Sequence, residues 1–85
     1  MRKLVNVERD ASVPGHTALY LSFVEKREVV RTIDMTPTCS IAIDVDEDGV
    51  LQGIELLDPG SHELELLTKL AHEHDLSLDG LFAFA

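Results

Sequence analysis

Four acidic side chains, spaced like the ligands of a metal ion, are the strongest indication of chemistry in this sequence. Asp44, Asp46 and Asp48 alternate along the chain, Gly49 follows, and Glu55 comes after five more residues. Carboxylates at this spacing are typical of the calcium loop of an EF-hand. The four residues are therefore candidate calcium ligands.

The residues around this acidic run favour a different structure. An EF-hand places its calcium loop between two helices. Here β-branched residues and Pro37 precede the run, and Pro59 follows Glu55 too closely for a full exiting helix. The alternative is a β-hairpin whose acidic side chains lie on the solvent face, in the turn and across the ladder. We favour the hairpin, predict no cofactor, and keep calcium binding through residues 44–55 as an alternative.

The hairpin is predicted over residues 39–58 from two independent signals. Apolar residues alternate with others on both arms, which is the period of a half-buried strand. The segment between the arms, Asp46 to Gly49, has turn chemistry, because Gly49 can adopt the positive φ of a turn with a bulge. The apolar residues of the first arm are Ile41, Ile43 and Val45. Those of the second arm are Val50, Ile54 and Leu56, which lie on one face of the strand, with Leu51 on the other.

Three strands are predicted before the hairpin and a helix after it. The strands cover residues 4–7, 16–24 and 29–36, and short turns between them favour neighbouring antiparallel strands. From about residue 59 the period changes to that of a helix, with an apolar stripe. Leu19, Leu21 and Phe23 on the second strand are predicted to face the core, and the apolar stripe of the helix is predicted to consist of Leu64, Leu67, Leu70, Ala71 and His74.

The predicted fold is α+β, a small antiparallel β-meander of four to five strands with one C-terminal helix packed on one face. The 85 residues are expected to form one domain, 1–85, with a sheet core over 4–58 and a helix and apolar tail over 59–85. The tail, residues 76–85, is apolar enough to pack on its own chain or in a subunit interface, and its conformation is left open.

The charge of the chain limits its partners. Sixteen acidic and seven basic residues give a formal net charge of −9, which opposes binding to nucleic acid and to anionic membranes. This charge favours a basic macromolecule or divalent cations as partners, and the alternative is that the acidic surface serves only solubility. The N-terminal residues lack the apolar run of a signal peptide, no segment is apolar enough to span a membrane, and we expect a cytoplasmic protein.

No constellation of catalytic residues is recognisable. The histidines, His16, His62, His72 and His74, do not have the spacing of a helical metal pair and are interpreted as surface or boundary residues. Cys39, the single cysteine, is interpreted as a small, semi-buried residue. A basic cluster of Lys26, Arg27 and Arg31 is interpreted as part of a solvated strand face that pairs with acidic residues.

Several segments together resemble the small prokaryotic domain of unknown function 2283 (DUF2283). The similar segments are Ala18-Leu19-Tyr20-Leu21, Thr32-Ile33, Ile43-Asp44-Val45-Asp46-Glu47-Asp48-Gly49 and Gly53-Ile54-Glu55-Leu56-Leu57. Their order and spacing agree with the family over about residues 4–58. The resemblance implies a small sheet with a helix and no known activity, and it makes the acidic run resemble a shared hairpin turn.

The leading functional hypothesis is a non-enzymatic protein–protein interaction module, with a homodimer as one form of it. A special case is an antitoxin-like protein that neutralises a basic partner, for which charge is the only support in the sequence. The alternative from another class is calcium binding by Asp44, Asp46, Asp48 and Glu55.

Overall fold

The computed structural model describes residues 1–81, which form two sheets and one helix. A five-stranded antiparallel sheet has the strand order β2-β3-β6-β5-β4, and a two-stranded parallel sheet pairs β1 with β7. The elements are β1 (Arg2–Lys3), β2 (Asn6–Asp10), β3 (Ala18–Ser22), β4 (Arg31–Asp34), β5 (Ile41–Val45), β6 (Leu51–Leu57), α1 (Ser61–Glu73) and β7 (Leu76–Ser77).

The predicted α+β class, an antiparallel sheet of five strands with one C-terminal helix, is confirmed in these residues. The order of the strands differs from the expectation that consecutive strands are neighbours. β6, the longest strand, lies between β3 and β5, so the connection of residues 23–30 must pass the β5–β6 hairpin to reach β4. β6 is also the strand with the most buried residues, which fits its central place in the sheet.

The core lies between α1 and one face of the large sheet. Ile41, Ile43 and Val45 are buried on β5, as their alternation predicts, and Leu21 and Phe23 are buried at β3. The helix contributes Leu67, Leu70 and Ala71 to the same cluster. Its stripe differs from the predicted one at one side, because Leu64 is 43% exposed while Leu66 packs against the core.

The central hairpin is confirmed, including its turn. Gly49 has a φ of 80°, and its N–H donates to the carbonyl oxygen of Asp46 at 3.0 Å. The return arm contains a bulge that alternation did not reveal. Asp44 pairs with Gly53 and Val45 with Leu51, so Gln52 is an extra residue between the two pairs. Because of it Leu51 is fully buried, whereas Val50 is 44% exposed in the turn.

The two ends of the described chain meet. The N–H of Arg2 donates to the carbonyl oxygen of Asp75 at 3.0 Å, next to the β1–β7 pair. Leu76 is buried, and Leu78 and Leu81 pack against the core. Residues 76–81 thus cover the core of their own chain, while residues 82–85 of the predicted tail lie outside the described residues.

Two predictions of local environment are tested directly. Cys39 is not semi-buried. It is exposed in the turn between β4 and β5, where its φ is positive at 57° and its N–H donates to the carbonyl oxygen of Thr36 at 3.1 Å. All four histidines are exposed or only partly buried, as expected.

None of the helices within residues 1–81 has the length and apolar character needed to cross a membrane.

Candidate functional site

The four candidate calcium ligands lie in three different settings. Asp44, on β5, accepts hydrogen bonds from the hydroxyl of Tyr20 and from that of Thr32, each at 2.5 Å. Its two carboxylate oxygens therefore each have a protein donor. This carboxylate joins strands of the sheet, and a metal ion would have to compete with both hydroxyls for it.

Asp46 stabilises its own turn. Its Oδ1 accepts hydrogen bonds from the backbone N–H groups of Asp48 and Val50, both at 2.9 Å. Asp48 is exposed in the turn, and Glu55 is exposed on β6, where it is the cross-strand neighbour of Tyr20. Among residues 1–81, no three acidic, histidine or cysteine side chains lie close enough together to hold a metal ion. Calcium binding stays a prediction for titration.

The register of the sheet places Asp44 and Glu55 on the face opposite α1, whereas Asp46 and Asp48 lie at the hairpin turn. On that face Glu8, Tyr20 and Glu55 form one row across β2, β3 and β6. No described element lies over the face as α1 does over the other one, although single side chains cover part of it. We call it the open face, and its residues are Asn6, Glu8, Asp10, Ala18, Tyr20, Ser22, Thr32, Asp34, Ala42, Asp44, Gly53, Glu55 and Leu57.

Tyr20 is the largest side chain of the open face. Its ring lies over Gly53, where a β-carbon would overlap the phenol, and its hydroxyl reaches Asp44. Burial, followed by the hydrogen bond to Asp44, raises the pKa of Tyr20 to about 12. The alternation of Leu19, Leu21 and Phe23 implies that Tyr20 lies on the opposite face, but it does not reveal these partners. A glycine inside a strand was the available signal, since such a residue often marks a close approach.

Arg27 covers the outer side of the same ring. Its guanidinium carbon is 4.4 Å from the centroid of the Tyr20 ring, within the range of a cation–π interaction. Its Nη2 is 3.9 Å from Oε1 of Glu8. The predicted pairing of the basic cluster with acidic residues is thus observed for Arg27. It comes from the connection between β3 and β4, not from a strand.

Two adjoining grooves extend along the open face from Tyr20. One has a volume of about 240 Å³ and the other of about 300 Å³, and both are lined by Asp10 and Ala18. The first is also lined by Glu8, Arg9, Leu19, Tyr20 and Glu55, and the second by Val13, His16, Thr17, Leu57 and Asp58. The grooves therefore combine an apolar lining with carboxylates.

Asp58 makes two hydrogen bonds at the end of the second groove that is more distant from Tyr20. Its Oδ2 is 2.7 Å from Nδ1 of His16, and its Oδ1 accepts the backbone N–H of Thr17 at 2.7 Å. These two hydrogen bonds, that from His16 first, lower the pKa of Asp58 below its ordinary value. The pair links the start of β3 to the end of β6 and leaves the groove acidic at neutral pH.

Comparison with known proteins gives one match. A family model described as a protein of unknown function (DUF2283) matches residues 16–58. The match includes Tyr20, Asp44 and Gly53, three residues that meet on the open face. Searches of curated proteins and of solved structures returned no match.

Proposed function

The chain belongs to the DUF2283 family, for which no function is known, and we propose that it is a non-enzymatic protein–protein interaction module of the cytoplasm. The partner is a basic protein that binds the open face. The observation that carries this proposal is that no described helix or sheet lies over this face, whose exposed residues include the carboxylates Glu8, Asp10, Asp34 and Glu55.

Electrostatics support a basic partner. The chain has a net charge of −9, and Arg27, the cation over the open face, already contacts Glu8. Complementary charge speeds encounter and favours partners of the opposite sign. The apolar side chains that line the grooves, such as Leu57 and Val13, offer additional contact area to a bound polypeptide.

A peptide titration tests the proposal. Nona-lysine, labelled with a fluorophore, is titrated with the protein at physiological salt and followed by fluorescence anisotropy. The double variant Glu8→Gln/Glu55→Gln removes two charges from the open face. Its matched control, Glu65→Gln/Glu73→Gln, removes two charges from exposed positions of α1. We expect the sheet variant to bind the peptide at least about threefold more weakly than the helix variant.

Equal affinities of the two variants would show that the peptide responds only to total charge, and the proposal would then be wrong. Amide chemical shifts give an independent map. Shifts on β2, β3 and β6 support the open face, and shifts confined to α1 contradict it.

Self-association is the second candidate, because exposed apolar residues flank one edge strand of the sheet. Strand β4 is an edge strand of the large sheet, and the residues beside it include Val29, Val30 and Met35, of which Val30 is 66% exposed. An unpaired edge with exposed apolar residues is a template for pairing with another chain. The two edge strands themselves, β2 and β4, both consist mostly of charged or polar residues, so the candidate depends on the apolar residues that flank β4.

Light scattering tests this candidate. A dimer mass that Val30→Lys reduces to a monomer mass, but Val50→Lys does not, supports pairing at β4. Both valines are exposed, and Val50 lies in the hairpin turn. A monomer mass of the unmodified protein at high concentration contradicts it.

A further inference from the structure

The open face already holds a guanidinium, and it belongs to the protein itself. Arg27 lies over the ring of Tyr20 and beside the carboxylate of Glu8. We propose that this position is the docking site of an arginine side chain from the partner protein, and that Arg27 occupies it in the free protein and is displaced on binding. This inference rests on the proposed function, since it names the residue that the open face recognises.

The chemistry of the position selects arginine over lysine. A guanidinium is planar, so it stacks on an aromatic ring while its N–H groups point sideways to carboxylates. The ammonium of lysine is compact and strongly hydrated, and it gains less from the ring. Tyr20 provides the ring, and Glu8 and Glu55 flank it in one row of the sheet, one on each side.

Arg27 uses only part of this position. It pairs with Glu8 at 3.9 Å, and both side chains are substantially exposed, so the ion pair contributes little stability. Glu55 has no ion pair within residues 1–81. An incoming arginine can therefore replace a weak internal contact and also gain a carboxylate that Arg27 does not use.

The connection that carries Arg27 can release it without disturbing the sheet. Its ends are fixed by backbone hydrogen bonds, from Phe23 to the carbonyl oxygen of Gln52 at 3.1 Å and from Val30 to that of Val45 at 2.9 Å. Between them, Glu28 makes a long contact of 3.5 Å with the Gln52 side chain. Movement of the Arg27 side chain breaks none of these bonds. The two grooves beside Tyr20 then provide the path for the rest of an extended peptide.

Two variants on this connection provide the test. Arg27→Ala empties the position over Tyr20, whereas Lys26→Ala removes the same charge from the neighbouring exposed residue. Both are titrated with labelled nona-arginine and nona-lysine. We expect Arg27→Ala to bind nona-arginine about threefold more tightly than Lys26→Ala does, with a smaller difference for nona-lysine. Equal affinities of the two variants for nona-arginine would overturn the inference.

A second measurement uses the unmodified protein, so its result does not depend on whether the variants fold. The side-chain Nε–Hε signal of Arg27 is followed by NMR while unlabelled nona-arginine is added. We expect it to shift towards the position of a free arginine, and an unchanged signal at saturation would contradict displacement.

The inference and the proposed function are contradicted by different results. If the Glu8/Glu55 and Glu65/Glu73 double variants bind nona-lysine equally well, both the proposed function and the inference are wrong. If the Arg27 and Lys26 variants bind nona-arginine equally well, only the inference is wrong.

Discussion

The ring of Tyr20 lies over Gly53, and it fits there because Gly53 has no side chain. Tyr20 belongs to β3 and Gly53 to β6, so the ring crosses the central strand to reach Asp44 on β5. Asp44 in turn accepts a hydrogen bond from Thr32 on β4. One side-chain network thus connects four neighbouring strands of the open face.

Replacing Gly53 by Ala is expected to break this network. The new β-carbon would overlap the phenol, so Tyr20 must rotate away and lose its hydrogen bond to Asp44. We expect the free energy of unfolding, measured by urea denaturation, to fall by about 1–3 kcal/mol. The control is the same substitution in a Tyr20→Ala background, where there is no ring to displace. An equal loss in both backgrounds would contradict the role of the ring.

The side chain of Tyr20 is also expected to ionise at a higher pH than that of an ordinary tyrosine. Its pKa of about 12 is above the ordinary value of 10.0, and because it is the single tyrosine of the chain, tyrosinate absorbance reports it alone. The folded protein holds the phenol proton more tightly than the unfolded chain does. The stabilisation is therefore full below pH 10 and is lost as the pH rises towards 12.

The measurement is an absorbance titration with circular dichroism recorded in parallel. We expect a midpoint near 12 while the protein stays folded, and a lower midpoint for Asp44→Asn, because the Asp44 carboxylate contributes to the raised pKa. A midpoint near 10 in protein that is still folded would show that Tyr20 is not held as described.

The local features of this fold can be predicted from the sequence, whereas the features that depend on distant partners cannot. Alternation on Ile41, Ile43 and Val45 and the turn at Gly49 are encoded within a few residues, and both are confirmed. The insertion of β6 between β3 and β5 depends on which strands meet after the chain collapses, and period alone does not specify that.

The candidate site shows the same limit more sharply. Tyr20, Asp44 and Gly53 were each placed in a strand, but their contact depends on the register of β3, β6 and β5. The register in turn contains a bulge at Gln52, which changes the parity of Leu51 and has no clear signal in the alternation. The position of Arg27 over the ring depends on the course of the connection between β3 and β4, which local sequence patterns do not predict.

Asp46 is expected to be the structural residue of the acidic turn. Asp46→Ala removes the acceptor of two backbone N–H groups and should lower the free energy of unfolding by about 1 kcal/mol. Asp46→Asn keeps a side-chain oxygen and should lose less. The control is Glu47→Ala, a change at an exposed residue of the same turn. Equal effects at the two positions in urea denaturation would contradict this assignment.

Asp58 is expected to stabilise the protein in a pH-dependent way. Its pKa is lowered in the folded protein, so its contribution is present above its ordinary pKa of 3.8 and is lost as the pH falls through the depressed value. Asp58→Asn removes the charge that faces His16, and asparagine tolerates the positive φ of 46°. The melting temperature of the variant should be lower than that of the original protein at neutral pH, and the two should converge in acid. A constant difference at all pH values would contradict the ionic contribution.

Calcium provides the last prediction, because it separates the two interpretations of the acidic run. A metal ion bound by Asp44 and Asp46 would have to displace the hydroxyls of Tyr20 and Thr32 and the backbone N–H groups of the turn. We therefore expect low millimolar calcium to leave the melting temperature within about 1 °C of its value in chelator. A calcium-dependent rise that Asp46→Asn abolishes would instead support a metal site in residues 44–55. Magnesium at the same concentration is the control, since an equal rise with both ions would reflect general screening of the net charge of −9.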